Sequence, residues 1–260
     1  MLTSMRDTLR QVRKASRLSQ LELSLRLGVS QRHVSFVESG RAQPSRELLI
    51  AWLQELEAPL VLRNEVMLQA GYAPVYNATQ LDDPTLAQVN DALQQLLMAH
   101  DPLPALVIDA QWNLVRLNQG GHWLAALLGA EAIAQEPLNL LDMLAHPEGL
   151  TQAIVNLDEV GPPFLARLRQ EASAQPELEA KVDAFAALLN QRLGPHHLQR
   201  MAPTTPVLTT RYATAYGELA FFSMFTTFGT PQDITLASLR VEHMFAADAA
   251  TDGVLRKQVR

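Results

Sequence analysis

Ser19-Gln20-Leu21-Glu22-Leu23-Ser24-Leu25-Arg26-Leu27-Gly28-Val29-Ser30-Gln31-Arg32-His33-Val34-Ser35-Phe36-Val37-Glu38-Ser39-Gly40 holds two helix starts, a glycine stop between them and a second glycine at its end. Ser19 with Glu22 forms a capping box: the hydroxyl takes the N–H three residues on, and the glutamate reaches back. Leu23 and Leu27 then share one face of a short helix. Gly28 ends it, Ser30 caps the next helix, and Val34 and Val37 turn inward one helical turn apart. Two short helices burying a common face leave the outer face of the second one free. Gln31, Arg32, Ser35 and Phe36 lie on that face or near its N-terminal end. Such a helix fits the major groove of double-stranded DNA, where Gln pairs with adenine and Arg with guanine.

The flanking sequence completes an all-α unit. Upstream, Ser4-Met5-Arg6-Asp7 reads as another capping box, opening a helix that buries Met5, Leu9 and Val12. Downstream, Pro44-Ser45 opens a fourth helix carrying Leu48, Leu49, Trp52, Leu53 and Leu56. A fifth runs from Pro59 to about Ala70. Charge follows the same division. Residues 1–46 hold nine Lys/Arg and three acids, net +6, in a chain of net charge −6, so the other 214 residues carry −12. A basic head on an acidic body suits a DNA reader. Gln20, at a helix start, is a candidate phosphate contact, and Arg10, Arg41 and Arg46 are others.

Residues Gln20 to Ser39 resemble the helix-turn-helix of the Cro and lambda-repressor-like (XRE) family. Gln20, Leu23, Leu27, Gly28, Val29, Val34 and Val37 carry the match. Glu38-Ser39-Gly40-Arg41 with Pro44-Ser45 extends it, so that the likeness covers residues 6–70. Ser24 stands where the family prefers alanine, and it is small enough to fit. The resemblance implies a five-helix fold, an ion pair between Glu38 and Arg13, and a homodimer on an inverted-repeat operator.

The helical period continues through Pro84 to Ala99 and then changes. Ala105 to Asp109 and Trp112 to Arg116 read as short strands around a turn at Ala110-Gln111, followed by a helix with Trp123, Leu124, Leu127 and Leu128. Residues 138–200 read as helices interrupted at Pro147, Gly161-Pro162-Pro163 and Gly194-Pro195. Pro206 to Tyr212, Gly217 to Phe228 and Thr235 to Phe245 read as strands. The fold class expected is therefore α+β: a DNA-binding domain over 1–75, a connecting helix or linker over 76–103, a helix-covered antiparallel sheet of about five strands over 104–250, and a tail over 251–260.

That element order is the order of a PAS-like sensor domain. Residues 104–247 resemble the MmyB-like ligand-binding domain that follows this type of helix-turn-helix. The resemblance rests on Pro104-Ala105 with Asn118, His146 to Leu150, Ile154-Val155-Asn156 and Arg167-Leu168-Arg169. It rests most on Gly217-Glu218-Leu219, Phe221-Phe222-Ser223 and Phe228-Gly229-Thr230-Pro231. Leu157 to Val160 supplies no tryptophan where the family has one nearby. The resemblance implies a hydrophobic small-molecule ligand, fatty acids being the known type. Phe222 and Met224, with Asn118 and Trp123, are candidate pocket residues, since methionine adapts to varied apolar ligands. His122, His146 and Arg211 are candidate partners for a ligand carboxylate.

Other classes find little support. The chain has no cysteine, which removes disulfides, thiolate catalysis and cysteine-based zinc sites. No G-x-S-x-G, Walker loop or H-E-x-x-H occurs, and the adjacent side chains of His196 and His197 diverge. No enzyme activity, metal or cofactor is expected. Without a signal core or an apolar run of ~18 residues, the expected location is the cytoplasm and not a membrane. The alternative to a ligand sensor is a DNA-binding protein, including an antitoxin-type repressor, whose C-terminal domain only dimerises or binds another protein. A closed apolar cavity with a polar end separates the two.

Overall fold

The structure is a computed structural model; it describes residues 4–130, 137–194 and 206–259. The pair His196-His197 lies outside the described residues. The chain divides into two compact units, one of residues 1–80 with 229–237, the other of 81–228 with 238–260.

The first unit holds the expected helices: α1 (Met5–Ala15), α2 (Gln20–Leu27), α3 (Gln31–Glu38), α4 (Arg46–Glu55) and α5 (Leu60–Gln69). Ser4, Ser19, Ser30 and Ser45 cap the first four, each accepting a backbone N–H within the first turn. At Ser19 the reciprocal bond is present too, the Ser19 N–H reaching Glu22 Oε2 at 2.8 Å. Gly28 ends α2 at φ +66°, a left-handed conformation that a β-carbon would strain. Leu9, Leu23, Val34, Val37, Leu49, Trp52 and Leu53 meet in one core. Ser24 is buried beside it, its hydroxyl returned to Leu21 O at 2.7 Å, so the departure from alanine leaves no unmet hydrogen bond.

The second compact unit begins at residue 81. Its helix α6 (Ala87–His100) lies within that compact unit. Strands β1 (Ala105–Ile108), β2 (Leu114–Leu117), β3 (Thr210–Thr214), β4 (Gly217–Thr227) and β5 (Arg240–Ala246) form one sheet in the order β2-β1-β5-β4-β3, every pair antiparallel. Helices α7 (Gln119–Leu127), α8 (Leu140–Ala145), α9 (Leu157–Ala174) and α10 (Glu179–Leu193) intervene between β2 and β3.

Four local readings are corrected. Trp112 belongs to the β1–β2 turn at φ +65°, outside the strand. There its indole N–H donates to Glu171 Oε2 at 3.0 Å, which helps to hold a conformation costing about 1–3 kcal/mol. Helix α9 continues without interruption through Pro162 and Pro163. Each proline removes a helical hydrogen bond, but Leu165 and Leu168 on the same helix are fully buried, at about 1.5–3 kcal/mol each. Gly161 lets this helix approach Leu189, whose Cδ2 would stand 2.9 Å from an added β-carbon. Ile234–Ser238 forms a short helix, α11, because Asp233 accepts the N–H groups of Thr235 and Leu236 where a strand would leave them to a neighbour. Finally, the tail is a helix, α12 (Ala249–Gln258), capped by Asp248 and anchored by buried Leu255.

Candidate DNA-binding surface and ligand cavity

In the first unit a buried ion pair sets the relation between α1 and α3. Arg13 on α1 holds the Glu38 carboxylate with two hydrogen bonds, from Nε at 2.6 Å and Nη2 at 2.8 Å, and donates a third to Leu18 O at 2.7 Å. Gln20 Nε2 donates to Glu38 Oε2 at 2.8 Å, and Arg10 to the Glu38 main-chain oxygen at 2.6 Å. Burial alone would raise the Glu38 carboxyl. The bonds from Arg13 and Gln20 outweigh it and hold the group below the ordinary carboxylate range.

These bonds change the placement of two expected phosphate contacts. The side chains of Gln20 and Arg10 are used inside the unit, Arg10 at the C-terminal end of α3, where a cation is favoured. Gln31, Arg32, Arg41 and Arg46 are exposed, and so is Ser30, whose oxygen caps α3. Ser35 and Phe36 are half-buried. The guanidinium groups of Arg32 and Arg41 lie 5.1 and 5.9 Å from the Phe36 ring centre, so one aromatic ring orders two cations on this face.

The second unit holds a partly open cavity of about 360 Å³, within the ~300–1,000 Å³ range usual for small-molecule sites. Its wall is largely apolar: Leu106 and Met244 from the sheet, Leu124 from α7, Phe164 from α9, Phe185 from α10. On β4 it is Phe221, Ser223 and Phe225 that face it. Its polar lining includes Tyr212, Ser223, Glu242, Arg167, Thr151 and Thr210.

None of the seven expected ligand residues lines this cavity. Phe222 and Met224 lie on the other face of β4, where Phe222 stacks on Phe245 at 5.4 Å and Met224 is 58% exposed. Asn118 is buried as the cap of α7, accepting from the N–H groups of Ala105 and Gly121 and donating to Leu97 O and Leu103 O. Trp123 lies against Tyr216 at 5.9 Å, and His122 is exposed. The Nδ1 of His146 accepts the Glu148 N–H, while Arg211 pairs with Glu159 and Glu218. Each of these groups already has a structural role or faces away.

The residues missed are Tyr212, Ser223, Glu242 and Arg167. In sequence, neither Ser223 nor Glu242 carries a local sign that it faces a cavity. Alternation on β4 does place Ser223 with Phe221 and Phe225, but nothing local shows which face is covered. Among the described residues no cluster of three or more His, Asp or Glu could hold a metal ion, and no helix is long and apolar enough to cross a membrane.

Comparison with known proteins agrees with the two units. The helix-turn-helix family matches residues 9–62, and the family described as the MmyB-like transcription regulator ligand binding domain matches residues 89–257. No curated protein matches. One solved structure, described as an RNA-binding Light-Oxygen-Voltage receptor, aligns over 98% of this chain and 62% of its own at 14% identity and a TM-score of 0.27, which carries no argument about the fold. With more than half of its length matched and a helix-turn-helix ahead of the match, the chain belongs to the MmyB-like transcription regulators: it is a DNA-binding regulator with a ligand-sensing domain.

Proposed function

We propose that this regulator reads an inverted-repeat operator as a homodimer through α3, and that an acyl-chain molecule of the fatty-acid type in the cavity changes its operator affinity. The observation that carries the reading is the cavity itself. A solid core would favour a domain serving only for dimerisation or partner binding; this one keeps a partly open cavity of about 360 Å³ with a largely apolar wall.

The chain also offers a route for coupling. Strands β4 and β5 both contribute to the cavity wall. The segment joining them, residues 229–237, belongs to the DNA-binding unit. There the Asp233 carboxylate accepts from the Thr79 N–H at 3.1 Å and the Thr79 hydroxyl at 2.6 Å, and the Ile234 N–H donates to Asn77 O at 2.8 Å. A ligand that favours one arrangement of β4 and β5 thereby acts on a segment built into the DNA reader. It can shift the equilibrium by no more than its differential affinity for the two arrangements.

Gln31 and Arg32 are the base-reading residues of this proposal, with Arg41 and Arg46 on phosphates. One α3 spans too few base pairs to select a site, and two-fold related copies reach half-sites about 34 Å apart. Native mass spectrometry of the purified chain tests the sensing half: a co-purifying acyl compound, or calorimetric binding of added ones with a change in operator affinity, is the expected result. No binding across a panel of chain lengths refutes it. Sedimentation of the operator complex tests the dimer, and one protomer per operator at saturation refutes it.

A further inference from the structure

Besides the face of α3, the DNA-binding unit carries a second basic feature. It is a partly open polar cleft of about 380 Å³ between the N-terminal end of α1 and the chain that follows α3. Ser4, Arg6, Gly40, Arg41 and Gln43 are among the residues that line it. Among the described residues, Arg6 and Arg41 are the charged side chains of this lining, and both are exposed. The ion pairs of the unit join Arg13 to Glu38 and Arg26 to Glu55, and leave these two arginines out. Asp7, the acid next to Arg6 in the chain, accepts the Ser4 hydroxyl. Gln43 donates to Ala70 O at 2.9 Å. Two guanidinium groups thus share a cleft that holds no acid.

The main chain makes room for Arg6. Its guanidinium packs against Gly40, where an added β-carbon would stand 2.5 Å from Nη1 and 3.0 Å from Cζ. Gly40 has φ +74°, so the left-handed residue that follows α3 also clears the seat of Arg6. Arg41 is tied to the outer face of α3, because its guanidinium and that of Arg32 share the Phe36 ring. Arg32, Arg41 and Arg6 therefore continue one basic line from the recognition helix to the start of α1. Like charges on such a line repel, and an anion beside them relieves the repulsion. Duplex DNA presents a row of anions along the groove that α3 enters, about one charge per 1.7 Å of axis.

Resting on the placement of α3 in the major groove, we propose that this cleft is a further DNA contact, in which Arg6, seated on Gly40, holds a backbone phosphate neighbouring the one assigned to Arg41. Helix α1 then serves DNA binding twice: Arg13 positions α3 from within, and Arg6 grips the backbone from outside. The contact adds affinity and fixes register without reading sequence.

The test is an anisotropy titration of a random-sequence duplex with the full-length protein over a range of salt concentrations. Each phosphate neutralised contributes about −0.9 to the slope of log K against log salt. Arg6→Ala weakens binding several-fold and makes the slope shallower by about 0.9 for each protomer bound; Arg41→Ala does the same, and Arg6→Lys keeps the native slope. Arg26→Ala, which removes an equal charge from the pair with Glu55, leaves the slope unchanged. A purely structural role for Arg6 moves the melting temperature and not the slope. A native slope in Arg6→Ala overturns the inference, and a loss in Arg41→Ala alone leaves the placement of α3 standing. Native slopes in Arg6→Ala, Arg32→Ala and Arg41→Ala together overturn that placement as well. An equal loss in Arg6→Ala and Arg26→Ala marks a general field effect and overturns the inference. So does saturable binding of inorganic phosphate that Arg6→Ala abolishes, which makes the cleft a site for a free anion.

Discussion

Replacing Glu38 by alanine removes the carboxylate that joins α1 to α3. The Arg13 side chain, 9% exposed, loses two hydrogen bonds and its counter-charge, and Gln20 loses its acceptor. The Arg10 bond survives because it goes to the main chain, and Arg13 keeps Leu18 O. Breaking a buried pair by removing one partner costs about 3–5 kcal/mol. The surviving bond to Leu18 places this case at the lower end, about 3 kcal/mol, against a total of ~5–15 kcal/mol for an ordinary domain. Amide hydrogen exchange of the full chain reads the loss locally, since the slowest amides of α1 and α3 report the opening of the first unit. At about 1.4 kcal/mol per tenfold, their exchange should quicken on the order of 100-fold. The double replacement Arg13→Met with Glu38→Leu should recover at least half of the loss, because no unpaired charge remains. The folded Glu38 carboxyl lies below its ordinary value, so its contribution is complete above the unfolded pKa and is lost as pH falls through the lower folded one. Glu38→Gln should abolish that acid-dependent part. If Glu38→Ala leaves exchange within threefold of the native protein, the pair does not hold the two helices together.

Three further outcomes follow from the geometry. Gln31→Ala and Arg32→Ala should each weaken specific operator binding by about 1–3 kcal/mol with a smaller effect on non-specific DNA; native-like binding by both variants in a gel-shift titration contradicts the placement of α3. Ser223→Trp should fill the cavity and abolish calorimetric binding of acyl probes while operator binding persists, whereas Met224→Trp, on the opposite face of β4, should leave ligand binding unchanged; the reverse result places the ligand elsewhere. Thr79→Val removes one hydrogen bond to Asp233 and spares the cap of α11, so ligand should still bind while its effect on operator affinity shrinks; a full response rules out this segment as the coupling route.

The helix-turn-helix was legible residue by residue because its determinants are local. A serine cap, a glutamate three positions on, a glycine at a left-handed stop and valines one turn apart act over a few residues, and the chain carries them in order. Even the Glu38–Arg13 pair followed, through resemblance, from positions that the helices fix in space. The number of strands in the second unit and their antiparallel order were legible for a similar reason: apolar runs, turn residues and a change of period mark each element.

The ligand site was not legible, and β4 shows why. Phe221, Phe222, Ser223, Met224 and Phe225 put bulky side chains on both faces of the strand, so alternation separates two faces without ranking them. Which face becomes the cavity wall depends on which one the inserted helices cover, and residues distant in the chain decide that. Phe222 and Met224 read locally as lining, and neither Ser223 nor Glu242 stands out. Only the packing of α7, α8, α9 and α10 reverses the reading, covering the face with the carboxyl and leaving Met224 exposed. Local sequence thus determined the DNA reader and the number of strands, because backbone capping and periodicity act at short range. The tertiary structure alone decided where a ligand goes, because a cavity is the space that many distant side chains fail to fill together.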